Sequence, residues 1–408
     1  MQNRKVTYRL YPSKSQAAKL FSIFKVHQKL YNKALEQRIN AYNDTKKSIS
    51  FKEQCKELTK WRNLESELGE LNAQSEQVTL KRLELAFKHF FRRVKNGETP
   101  GFPRFKSLNR FKGWGYKTHG DGFKLFLNKD MHHGHVRLSN VGIIKIRGKS
   151  RNIGLPKTAE IIRKAQGWFL SVTIKCIPQR KRGSHAIGFD WGLENFLTIT
   201  NEQNEVKTIA NPRFGKQFAQ NIKNVHRKIS RTKKGSHNRQ KLIQQLKKIY
   251  YKLSEKRLHF IHQISNNLIN DSALIAAEEL NIKNMTCKGG TYKKGLNREI
   301  LNTTPAAFMQ LLKCKAEEAG IYWFEIPTKK IKPTQTCHGC GRQEKKSLAE
   351  RKHQCSCGVK CSRDENAAKV ILNWALFSSP TGQKLSEVSS IDCLDHALKY
   401  KTPSVITA

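Results

Sequence analysis

The stretch AIGFDWGLENFLTIT, residues 186 to 200, decides the reading of the fold. Strand-like runs flank Gly192 and a third follows at Val206 to Ile209, so three short antiparallel strands are predicted. The first run carries apolar Phe189 directly into Asp190, and a second strand, LIAA at 274 to 277, delivers Glu278 in the same way. A third acid, Asp364, stands after a turn at the start of the helix-like run NAAKVILNWAL. Carboxylates at the ends of adjacent strands and on a neighbouring helix can converge on one point, and three of them suit hard cations such as Mg²⁺. Two such ions, roughly 3.5 to 4 Å apart, clamp the attacking and leaving oxygens of a phosphodiester, which is nuclease chemistry. Taken singly, an acid at a strand end is ordinarily a turn or a cap, and spacing alone does not select these three from 32.

Outward from this core, a long basic helical stretch is predicted to about residue 270. A helix starts at Thr304 and Pro305 and stops at Gly320, and IYWFEI forms a further strand. Strands and helices therefore alternate through the C-terminal half. In the other half, KVTYRL at 5 to 10 alternates as a half-buried strand. Ser13 and Gln16 then form a capping box for a helix with the stripe Leu20, Phe24, His27 and Tyr31. Helices are predicted to about residue 95, the last with Leu80, Leu83, Phe87, Phe91 and Val94 at helical spacing. From 100 to 180 the pattern is of short strands, with a hairpin turn near Gln166 and Gly167. If the opening strand joins them, the helices are an insertion within a β domain. Gln179 to Ser184 reads as a linker, and the segment from SSPTG onward as a loosely ordered tail.

At 408 residues the chain is long enough for about two or three domains. Lys and Arg number 77 against 32 Asp and Glu, a formal charge of +45 that points to a polyanionic partner. With 38% apolar residues this is a packed protein rather than a basic tail. No run approaches the roughly 18 apolar residues of a membrane span, and MQNRKVTYRLYP has no signal-peptide core, so cytoplasmic work is expected.

Cys337, Cys340, Cys355, Cys357 and Cys361 crowd into 25 residues, a clustering that in a cytosolic chain favours metal over disulfides. A two-residue gap lets Cys337 and Cys340 reach one tetrahedral ion, as in a zinc ribbon. The second pair is Cys355 and Cys357, with Cys361 or His353 as substitutes. The HHGH run at 132 to 135 is expected to be a solvated loop without metal.

Between Lys223 and Arg257 stand 13 Lys or Arg and one acid, Glu255, so phosphate binding is favoured over a salt-bridged surface. The candidates are Arg227, Lys228, Arg231, Lys233 and Lys234. The segment 90 to 117 interleaves Arg92, Arg93, Arg104 and Lys106 with Phe102, Phe105, Phe111, Trp114 and Tyr116. Such cations hold a backbone while aromatics stack on bases, although some of these rings belong to the core.

The segments IGFDWGLENFLTIT, LIAAEELNIKNM and CSRDENAAKVI resemble, in order and spacing, the three nuclease motifs of TnpB, the RuvC-like, RNA-guided endonuclease family of bacterial insertion sequences. The likeness extends to FKHFFRRVKNGETPGFPRFKS, the helix at 304 to 319 and the cysteine cluster, roughly residues 1 to 376. It implies a RuvC fold of RNase H type (α/β) with an inserted zinc ribbon, and an N-terminal β domain interrupted by a helical lobe. By the same likeness Asp190, Glu278 and Asp364 are catalytic and hold Mg²⁺, expected as two ions. Cys337, Cys340, Cys355 and Cys357 take one Zn²⁺, and guide RNA and double-stranded target DNA are the partners. Arg363 and Asn366 are expected around the acids, and Gln77 at the position that reads a short flanking DNA motif. The implied division is 1–12 with 96–180 as a wedge-like β domain, 13–95 as a recognition lobe, and 185–334 with 359–377 as the nuclease. The ribbon is 335–358 and the tail 378–408. Two features depart from the pattern: Ser362 stands where relatives usually carry an acid, and the second cysteine pair is one residue short of Cys-x-x-Cys. Glu279 could be confused with Glu278, but neighbours in a strand face opposite ways. A guide-independent transposase, a compact type V CRISPR effector and a nuclease-derived repressor remain alternatives.

Overall fold

The computed structural model describes residues 2–177, 180–347 and 350–377; the expected tail at 378–408 and residue Gln179 of the linker lie outside them. The chain divides into two compact units at residues 178 and 179.

In the first unit, β1 (Gln2–Tyr11) buries Val6, Tyr8 and Leu10 on alternate positions. Helix α1 (Lys14–Thr45) begins at a reciprocal Ser13/Gln16 box and buries Leu20, Phe24, His27 and Tyr31. After α2 (Phe51–Leu64), α3 (Ser66–Gly69) and α4 (Ala73–Lys95) come seven strands. These are β2 (Gly113–Tyr116), β3 (Thr118–His119), β4 (Gly122–Leu127), β5 (His133–Leu138), β6 (Gly142–Arg147), β7 (Leu155–Lys164) and β8 (Gly167–Cys176). The sheet order is β2-β7-β8-β1-β6-β5-β4-β3, so β1 sits inside it, antiparallel to both β8 and β6. Helices α1 to α4 thus interrupt the chain between one strand and its seven partners.

Two expectations change here. Residues 133–135 of HHGH belong to strand β5, where Gly134 crosses so close to Phe126 that a Cβ would stand 2.0 Å from its carbonyl oxygen. On α4, Leu80 and Leu83 are buried but Phe91 and Val94 are exposed, because the helix runs past the end of the core.

The second unit opens with β9 (His185–Trp191), β10 (Asn195–Asn201) and β11 (Val206–Ala210). The predicted continuous basic helix is instead two, α5 (Phe214–Ser230) and α6 (His237–Asp271), separated where Gly235 takes a φ of 84°. Next are β12 (Ser272–Glu278), α7 (Ile282–Met285), α8 (Thr291–Thr303), α9 (Pro305–Ala319), β13 (Tyr322–Ile326) and α10 (Thr328–Ile331). The hairpin β14 (Lys352–Gln354) and β15 (Lys360–Ser362) leads into α11 (Arg363–Phe377). The five-stranded sheet has the order β11-β10-β9-β12-β13, with β9, β12 and β13 parallel and the other pairs antiparallel. Ile187, Phe189 and Trp191 pack with Ile261 and Ile264 of α6 and Phe308 and Leu312 of α9 on one face. Ala186, Leu274 and Ala276 pack with Ile371 and Leu372 of α11 on the other. Gly188 lets α11 close on β9, since a Cβ there would lie 2.6 Å from that of Leu372.

Candidate functional site

Strand parity brings the acids together. Asp190 follows Ala186 and Gly188 at intervals of two, and Glu278 follows Leu274 and Ala276, so both side chains leave the sheet on the α11 face. The parallel register pairs Phe189 with Ala277, and its next step sets Asp190 beside Glu278. Asp364 lies in the first turn of α11, and its Oδ2 stands 4.0 Å from where a Cβ at Gly192 would be.

Asp190 is almost fully buried. Burial, then the charges of Glu278 and Asp364, hold its carboxyl well above the usual range, against the opposing Arg363 guanidinium and the backbone N–H of Trp191. Burial likewise raises Glu278, partly offset by a hydrogen bond from Thr328. The charged forms of Asp190 and Glu278 are thus disfavoured, a penalty that a bound cation would relieve. Glu279 is exposed beyond the end of β12.

Ser362 caps α11, its Oγ accepting from the backbone N–H of Glu365 at 3.1 Å. The departure at this position therefore supplies a cap. Arg363 acts on Asp190 as expected of a neighbour, and its guanidinium donates to the Ser347 carbonyl at 3.3 Å. Asn366 does not join the acids. Two residues after Asp364 it lies about 200° round the helix, fully buried, and its amide donates to the carbonyls of Thr336 at 2.7 Å and Pro333 at 3.3 Å. Its oxygen accepts from the backbone N–H and ring Nδ1 of His338, inside the first cysteine knuckle. His338 is a residue that sequence reasoning missed; its place between Cys337 and Cys340 was the available signal.

The ligating atoms of Cys337, Cys340, Cys355 and Cys357 all lie within 4.8 Å of one another, the one such group of three or more among the described residues. The carboxylates do not close to that spacing. Cys337 and Cys357 sulfurs are 3.6 Å apart, and those of Cys340 and Cys355 are 3.5 Å apart. A tetrahedral ion with sulfurs at about 2.3 Å needs edges of about 3.8 Å, so the four sulfurs fit Zn²⁺ with little movement. The backbone N–H of Cys357, with neighbouring thiols, lowers Cys355 to about 6, favouring the thiolate that binds metal. Cys361 and His353 face each other across the β14–β15 hairpin, outside the cluster, and His353 Nδ1 is 2.7 Å from the Lys346 ammonium.

Comparison with known proteins adds to this geometry. Residues 169–288 match the OrfB_IS605 family, described as "Probable transposase", and residues 306–371 match the Cas12f1-like TNB domain. Over 93% of its length the chain is 27% identical to "Putative RNA-guided DNA endonuclease" of Streptomyces pristinaespiralis, covering 91% of that protein. These likenesses agree with the resemblance of the three acid-bearing motifs to the TnpB family. A second relative, "Putative RNA-guided DNA endonuclease InsQ" of Escherichia coli (strain K12), is 25% identical, with 84% of this chain and 85% of that protein covered. Residues 1–47 also match a helix-turn-helix domain, although here they form one strand and a single 32-residue helix. Among solved structures, the Cas12f1-sgRNA-target DNA complex shares the fold with a TM-score of 0.57 at 16% identity, over 88% of this chain and 82% of that one. The mini-RNA-guided endonuclease CRISPR-Cas_phi3 gives 0.51 at 10% identity, over 91% and 92%.

The basic candidates fall into two groups. Arg227, Lys228, Arg231, Lys233 and Lys234 are all exposed at the end of α5 and in the turn after it, while Val225 and Ile229 face inward. Among the described residues none of the five pairs with a carboxylate. In the first unit, Arg92, Arg93 and Arg104 are exposed and Gln77 is half-buried on α4. Lys106 differs, because its ammonium sits 3.9 Å from the Tyr31 ring centroid and its backbone is held by Asn32 and Gln28. Phe111, Trp114 and Tyr116 are core, whereas Phe102 and Phe105 remain about half exposed.

Proposed function

We propose that this chain is an RNA-guided DNA endonuclease of a transposable element, with a RuvC-like nuclease domain of RNase H type. One observation carries the reading: a buried and a half-buried acid, Asp190 and Glu278, stand side by side on adjacent parallel strands, facing a helix whose first turn supplies a third. Asp190, Glu278 and Asp364 would hold Mg²⁺, expected as two ions, which when bound supplies charge for phosphodiester hydrolysis. The chain's own part is to fix the three carboxylates on rigid elements and exclude water from Asp190. Cys337, Cys340, Cys355 and Cys357 would hold one structural Zn²⁺ in the ribbon at 335–358, within a nuclease made of 185–334 and 359–377.

The remaining assignments follow from charge. A guide RNA with duplex DNA is a large polyanion, matched by +45. The β domain at 1–12 and 96–180 and the lobe at 13–95 would grip the RNA and the DNA beside the target, Gln77 reading the flanking motif. Base pairing with the guide would supply sequence specificity. No described helix is long and apolar enough to cross a membrane, and we place the work in the cytoplasm with the element's DNA.

The test is cleavage of plasmids that match or do not match the guide, with Mg²⁺, with and without RNA. RNA-dependent cutting of the matched plasmid supports the reading. Equal cutting without RNA favours a guide-independent transposase, and RNA-dependent binding without cutting favours a repressor. A neighbouring repeat array in place of an element end would mark a CRISPR effector.

A further inference from the structure

Where α1 ends beside α4, Ile39, Tyr42, Phe87, Phe90, Phe91 and Phe102 line a cavity of about 420 Å³. Tyr42, Phe91 and Phe102 are exposed by 56, 58 and 49%. Three large rings left open in one place mark a surface with an occupant more often than chance does. Phe102 meets Phe87 at 90° and Phe90 at 81°, with centroids 5.6 and 5.4 Å apart, so the rings brace one another as a fixed wall.

The rim is cationic. The Lys46 ammonium lies 5.7 Å from the Tyr42 ring centroid, and a guanidinium nitrogen of Arg93 reaches 4.0 Å from where a Cβ at Gly101 would stand, next to Phe102. Arg38 and Lys88 are paired with Glu84, but Lys46, Arg92 and Arg93 have no carboxylate in ion-pair range among the described residues. An apolar anchor from another protein would need the rings alone. A nucleobase with its phosphates uses both the rings and the unpaired cations.

We propose that this cavity receives an unstacked base of bound single-stranded RNA, with Lys46, Arg92 and Arg93 on the flanking phosphates. A single strand is favoured over duplex DNA because its bases need not be unpaired to enter. The proposal rests on the reading of the chain as an RNA-binding nuclease.

The experiment uses the full-length protein with the RNA that copurifies with it, transcribed with 4-thiouridine. Phe91→Ala and Phe102→Ala should each weaken RNA binding about tenfold without changing the salt dependence, since stacking releases no counterions. Arg92→Gln with Arg93→Gln should instead lower the log-log salt slope by about 0.7 per lost contact. Photocrosslinks should map to the peptides bearing Phe91 and Phe102. Unchanged affinity in both Phe variants overturns the proposal, with or without a fall in melting temperature, as do photocrosslinks that miss both peptides. If the wild type binds no RNA, the functional reading fails first; wild-type binding with indifferent variants sinks the cavity only.

Discussion

The side-chain oxygen of Asn366 accepts hydrogen bonds from both the backbone N–H and the ring Nδ1 of His338, each at 3.0 Å. The helix that presents Asp364 is thereby fastened to the loop that presents Cys337 and Cys340. Asn366→Ala should leave several buried polar groups unmatched, at a cost of about 1–3 kcal/mol each before relaxation. The expected result is faster zinc loss to a chelator and a slower cutting rate in the same variant. Unaltered zinc retention would show that the two sites are independent.

Asp190→Asn, Glu278→Gln and Asp364→Asn should each reduce cutting by more than about 100-fold, beyond the 10- to 100-fold typical of groups that only support a ligand. RNA affinity should stay nearly constant, since none of them binds phosphate. Glu279→Gln, at an exposed position, should be close to wild type. Single-turnover cleavage and filter binding on the same preparations separate the two effects.

Asp190 and Glu278 both titrate above the ordinary carboxylate range, chiefly through burial. Such a group keeps its proton in the fold at a pH where the unfolded chain has lost it. Stability of the metal-free protein should therefore rise as pH falls from above the raised values toward the ordinary carboxylate range, and decline as pH climbs. Divalent cation binding displaces the same protons, so affinity for Mn²⁺ should increase with pH. Calorimetry in buffers of different ionisation enthalpy should detect proton release, and less should appear in Asp190→Asn, where Glu278 alone of the two remains.

Cys355→Ser should remove the bound zinc, whereas Cys361→Ser should keep it, because only the former sulfur lies in the four-sulfur group. Loss of the ion should lower the melting temperature, since a structural site contributes folding free energy. Elemental analysis of the purified variants decides between the two cysteines.

Replacing Arg227, Lys228, Arg231, Lys233 and Lys234 by Gln should weaken binding to all sequences alike and lower the salt slope by about 0.9 per lost duplex contact, or 0.7 on a single strand. Because these side chains are exposed and unpaired among the described residues, the melting temperature should hold. A variant with wild-type salt dependence would remove the α5–α6 turn from the interface.

Much of this was legible in the sequence because it is local. Ser13 with Gln16 announced the start of α1, Gly320 the stop of α9 at a φ of 69°, and the alternation through Val6, Tyr8 and Leu10 a strand. The juxtaposition of Asp190 with Glu278 is not local, since no pattern within either strand states which strand lies beside it; resemblance supplied that link. The bounds of β2 to β4 are hard to read because Gly113, Gly115 and Gly122 interrupt the apolar pattern, while Trp114 is buried by packing from distant segments. Asn366 was expected near the acids from proximity in sequence, and the turn of the helix sends it to the knuckle instead.

The insertion of α1 to α4 between β1 and its partners also governs the order in which the molecule can assemble. Residues 2–9 of β1 wait for 169–176 of β8, so at roughly 5–20 residues per second the ribosome holds the first strand unpaired for about ten to thirty seconds. Helices α1 to α4 are complete well before then and can shelter its apolar side. Deleting residues 2–11 would remove an interior strand and split the sheet between β8 and β6.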